Sequence, residues 1–149
     1  MNCKEFIAAL ASSTGLSDLA PDADGQAAIV VDGAYKLTFS VETDDYTLAC
    51  RVPLMSTSEF RGSYADLLEA NLDAETSGGG ALAIDAASGD ITYVRFIATK
   101  GITSASEVND VVTSILHMSA FWQQHLPKLQ TEQAQTPSQD TLDTVVLQL

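Results

Sequence analysis

The residues in this chain with the chemistry to catalyse a reaction or hold an ion are two histidines, two cysteines, 20 carboxylates and a glycine triplet. His117 and His125 lie eight apart in one helical stretch, roughly 12 Å along the axis at about 1.5 Å per residue. That is too far for a shared metal, and the i, i+4 histidine pair of a zinc helix is absent. Asp22 and Asp24-Gly25 imitate part of a calcium loop. Its first acid is replaced by Ala20 and its closing glutamate by Val31, so the match fails. Gly78 to Gly80 are not followed by the Gly-Lys-Ser/Thr of a phosphate cradle. Cys3 and Cys50 stand in no metal or redox spacing. No serine occupies a nucleophile elbow, and the carboxylates cluster in turns and on wet helix faces without singling out an acid–base pair. The sequence predicts no catalytic residue, no metal ligand and no cofactor: it does not read as an enzyme.

The elements that would carry any other function follow from composition and periodicity. At 149 residues the chain is expected to form one domain with a real core, and 46% hydrophobic residues fit a folded protein. Seven basic side chains face 20 acidic ones, a net charge of −13. Such a surface repels phosphate backbones and anionic lipid headgroups, so nucleic acid and membranes are excluded as expected partners and another protein is left. The same charge also serves plain solubility. No apolar run approaches the roughly 20 residues that span a bilayer. Phe6 to Ala11 is too short for a signal-peptide core, and Glu5 interrupts the basic region before it. Reduced cysteines and a cytoplasmic location are the expectation.

Asn2 followed by Glu5 reads as a capping box. Cys3, Phe6, Ile7 and Leu10 then form one helical stripe, and Gly15 stops the helix, which is predicted over 3–14. Strands are predicted over 27–32, 35–42 and 46–54. Asp32-Gly33 forms a tight hairpin between the first two, and strict alternation runs through Tyr35, Leu37, Phe39 and Val41. A helix is predicted over 58–73, weakened by Gly62, then a break at Thr76–Gly80 and a second hairpin of strands 81–85 and 91–98. Ser104 and Glu107 make another capping box. From there Val108, Val111, Val112, Ile115, Met118, Trp122 and Leu126 trace a long helix that Pro127 should stop. Residues 127–149 read as a flexible tail, although Leu142 and Val145 to Leu147 are apolar enough to dock. The expected fold class is therefore α+β, in the order helix, three strands, helix, two strands, helix, with a twisted antiparallel sheet packed against the helices.

Several segments carry a family likeness in combination. They are Ser12-Ser13-Thr14-Gly15-Leu16, the Asp32-Gly33 hairpin leading to Val52-Pro53-Leu54, Leu67-Leu68-Glu69-Ala70-Asn71-Leu72 with Leu82-Ala83-Ile84-Asp85, and Ser88-Gly89-Asp90-Ile91. Together they resemble the class I type III secretion chaperones, the Tir chaperone family, over residues 1–126. The tail has no counterpart, and Ala28, Ala81 and Ala83 are unusually small for their strands. The resemblance implies a cytoplasmic, nucleotide-free homodimer of compact subunits that binds the unfolded N-terminal segment of a secreted effector and keeps it soluble and export-competent. Capture would use an exposed sheet edge and apolar grooves. The expected effector-binding residues are Ile7, Leu10, Leu16, Ile29 and Val31. The expected dimer contact is Leu67, Leu68, Leu72, Leu82 and Ile84. Competing readings are a regulatory or stress-response interaction module that shares the fold without a secretion role, and a small-molecule-binding or catalytic domain.

Overall fold

The computed structural model describes residues 1–133, in the order α1 (Cys3–Thr14), β1 (Gln26–Val31), β2 (Tyr35–Val41), β3 (Thr47–Ser56), α2 (Tyr64–Ala70), α3 (Ala74–Ser77), β4 (Ala81–Asp85), β5 (Asp90–Ala98), a 3-10 turn at Thr99–Gly101 and α4 (Ala105–Gln133). The terminal apolar cluster around Val145 lies outside the described residues. Helix α1 begins and ends where its residues dictate. The Asn2 side chain accepts from the Glu5 N–H at 2.9 Å, and the Glu5 carboxylate accepts from the Asn2 N–H at 2.7 Å. Such a cap contributes about 1 kcal/mol. At the other end Gly15 turns left-handed, with φ 74°. The predicted stripe Cys3, Phe6, Ile7 and Leu10 is buried, and the Phe6 ring meets Phe39 with centroids 6.3 Å apart.

The sheet is antiparallel throughout, in the order β1-β2-β3-β5-β4. Asp32 and Gly33 both take positive φ, and the Ala34 N–H donates to the Val31 carbonyl at 3.0 Å. That turn handedness matches the twist of the strands it joins. Period-two alternation sends Leu37, Phe39, Leu48, Cys50, Val52, Ile91 and Tyr93 into the core under the helices. Val30, Lys36 and Phe96 are exposed on the opposite face. Strand β3 runs on through Pro53 because its pairing with β2 ends at Arg51. Beyond that point a missing N–H breaks no bond on the β2 side.

Two helix boundaries differ from the sequence expectation. Helix α2 covers Tyr64–Ala70, not 58–73. Phe60 instead tucks into the core at the end of a turn, with Gly62 packed beneath its ring, where a Cβ would collide. Ser63 then caps the shorter helix by accepting from the Ala65 N–H. Pro127 does not stop α4, which continues to Gln133, so the expected domain limit at residue 126 falls inside a helix. Both Pro127 and Gln123, whose carbonyl loses its helical partner, are exposed. Water can satisfy that carbonyl, while Leu126 and Leu129 pack against the core on either side.

Candidate partner-binding trough

The small residues of α1 that flank its core stripe build one wall of a surface trough. Ala8, Ala11 and Ser12, at i, i+3 and i+4, line a hollow of about 440 Å³ with Gly15, Ser17 and Leu19. It shares those last three residues with a second hollow of about 530 Å³, lined by the α1–β1 loop and by β1 from Gln26 to Val30. Side chains no larger than a methyl group at Ala8, Ala11, Ala27 and Ala28 leave the space; Leu16 and Leu19 supply apolar walls. Among the described residues, Asp18 is the only ionisable group in either lining.

Strand β1, which flanks the trough, is an edge of the sheet. The direction of its free groups follows from two bonds. The Gly25 carbonyl accepts from Val41 of β2, whereas the Gln26 carbonyl accepts from Asp22, off the sheet. Period two then turns the N–H and C=O groups of Ala28 and Val30 outward. Among the described residues, these groups meet no backbone partner outside the strand ladder. An open row of donors and acceptors beside a surface hollow is what an extended polypeptide needs in order to dock.

The predicted effector-binding residues separate under this geometry. Leu16, 45% exposed, lines the trough, as does Ile29 from the strand. Val31 is half-buried against the core. Ile7 and Leu10 are fully buried in the core and do not reach the trough, because they lie on the sheet-facing side of α1. Leu19, Ala8, Ala11 and Ser12 take their place. The spacing of those small residues along α1 was a legible signal, masked by the larger stripe. Of the predicted dimer residues, Leu68, Leu72 and Ile84 are 71%, 89% and 49% exposed, while Leu67 and Leu82 are buried against the subunit's own core.

Asp22 accepts from the Asp24 and Gln26 N–H groups and shapes the turn before β1. His117 is exposed, and His125 stacks on Phe121 with centroids 4.0 Å apart. Among the described residues no cluster of three or more His, Cys, Asp or Glu side chains could hold a metal. Nor is any described helix long and apolar enough to cross a membrane.

Residues 5–123 match the family model of the Tir chaperone proteins, CesT. The chain belongs to the Tir chaperone protein (CesT) family. Among solved structures, it is similar to a chain of the HopA1–SchA chaperone–effector complex, with 19% identity and TM-score 0.67, covering 81% of this chain and 92% of that one. A chain of the ExsC–ExsE complex is similar at 18% identity and TM-score 0.71, with 85% and 97% covered. So is a chain of the Yersinia pestis complex of the type III secretion chaperone SycH with a stable fragment of YscM2, at 18% identity and TM-score 0.60, with 79% and 97% covered. At these identities the likeness is one of fold. No curated protein sequence matches the chain.

Proposed function

We propose that this member of the Tir chaperone family is a non-enzymatic type III secretion chaperone. It holds an extended N-terminal segment of a secreted effector along β1 and in the adjoining trough, keeping that segment soluble and export-competent in the cytoplasm. The observation that carries the reading is the edge at Ala28 and Val30, open among the described residues, running beside two adjoining hollows, of which the one along α1 is mainly apolar. The edge supplies backbone hydrogen bonds that any sequence can make, and the hollows supply affinity. Each buried Leu- or Ile-sized anchor contributes roughly 1.5–3 kcal/mol, while ordering a flexible segment costs about 2–5 kcal/mol. Several anchors are therefore needed.

A second copy of the chain supplies a second trough. Leu68 and Leu72 project from α2, and Ile84 from the adjacent β4, making an apolar patch of the kind that a protein surface covers. The subunit is accordingly read as half of a homodimer.

The test is co-expression of the full chain with the N-terminal region of the product of a neighbouring gene. A stable copurifying complex, in which that region resists protease only when bound, is the expected result. Failure of every neighbouring candidate to copurify, with no secretion machinery encoded nearby, would overturn the reading.

A further inference from the structure

The two edges of the sheet are finished differently. At β1 the outward groups of Ala28 and Val30 meet no backbone partner outside the strand ladder among the described residues. At β4 the Asn71 side chain, just past the end of α2, donates from Nδ2 to the Leu82 carbonyl at 3.1 Å and accepts at Oδ1 from the Leu82 N–H at 2.7 Å. Those are the two bonds an added antiparallel strand would make with Leu82. The amide stands in for a strand one residue long.

Its position is braced from behind. The Thr76 hydroxyl donates to the Ala70 carbonyl at 2.6 Å, and the Trp122 indole N–H donates to the Thr76 carbonyl at 2.7 Å, tying the end of α2 and α3 to α4. The remaining outward residue of β4 is Ile84, two positions on. Asp85, by contrast, directs its carbonyl into the β4–β5 turn, where the Gly89 N–H donates to it.

We propose that Asn71 closes the β4 edge, so that each subunit accepts an added strand at β1 alone. A second copy meeting Leu68 and Leu72 then packs side chain against side chain and does not extend the sheet. The biological use of this closure rests on strand addition at β1, but the closure itself concerns a different edge and is testable without a partner.

The experiment compares the full chain as wild type, Asn71→Ala, Asn71→Ser, Ile84→Pro and the double variant Asn71→Ala/Ile84→Pro. Sedimentation velocity is run over a concentration series, and Leu82 amide exchange is followed by mass spectrometry. Wild type is expected to stay a single species. Both Asn71 single variants should shift to larger, concentration-dependent assemblies, with faster Leu82 exchange at low concentration. The added proline should abolish the concentration-dependent assemblies and leave only the species that Ile84→Pro alone forms, since the Ile84 N–H points off the sheet and its loss breaks no β4–β5 bond. A variant whose damage was merely to the loop would be worsened, not rescued, by that proline. Serine keeps a polar group at the helix end but is too short to bridge both Leu82 groups, and it decides the matter if the alanine variant fails to fold. Wild-type sedimentation in the Asn71 variants despite accelerated Leu82 exchange overturns the proposal, as does assembly that the proline leaves unchanged. Neither outcome touches the reading of β1, which stands or falls on partner capture.

Discussion

Burial pushes the Cys50 thiol up from an ordinary 9.0 to about 12, against the smaller opposing pull of Arg51 and Arg95. Cys3 is raised as well, chiefly by burial. A raised pKa means that the folded state favours the protonated thiol. The associated stability is fully present below the unfolded value and is lost as pH climbs toward the folded one. Between pH 9.0 and about 12 this single group should make stability fall by about 1 kcal/mol per pH unit. Cys50→Ala should therefore show a shallower alkaline decline than wild type in urea melts, despite a lower stability at neutral pH. Parallel alkaline slopes would refute the assignment. At this scale the sequence was partly readable. It showed that neither cysteine sat in a metal or redox spacing, but not that the sheet would enclose Cys50 completely.

The elements follow the sequence most closely where a local rule and the core agree. Asn2 with Glu5, Gly15, Asp32-Gly33 and Ser104 with Glu107 all do what their spacing predicts. Agreement fails where a distant contact overrides the local pattern. Phe60 fits a helical stripe by spacing, yet its ring finds the core from a turn. Pro127 should break a helix, yet the leucines around it keep the helix docked. The trough lay between these cases. Leu16 and Ile29 were legible as its apolar lining, whereas Ile7 and Leu10 belong to the one helical stripe of α1, and that stripe is spent on the core. Val30 allows a test of the element itself. Val30→Pro removes an outward N–H and places a ring where an added strand must lie, without taking a bond from the β1–β2 ladder. Circular dichroism should be unchanged and effector copurification lost. Undiminished capture would mean that β1 is not the receiving strand.

For the whole molecule, the decisive balance lies between a net charge of −13 and an apolar patch. Like charge disfavours close approach of two copies, so the proposed dimer contact has to draw its free energy from covering exposed side chains such as Leu68 and Leu72. Leu72→Asp adds charge at a position that contributes nothing to the subunit's own core. It should yield a folded monomer by light scattering, with a melting temperature lowered only as far as the lost partner requires. Persistence of the wild-type mass would exclude this patch as the interface.

The single tryptophan is clamped by Thr76 beside the β4 side of the sheet, with its indole 4% exposed. It is thus an intrinsic optical probe placed at the opposite border from the trough. Its emission should be shifted to the blue in the native protein and move to the red when α3 pulls away from α4. It should stay still while a guest polypeptide settles along β1. One fluorescence trace can therefore separate variants that have lost their architecture from those that have only lost their guest.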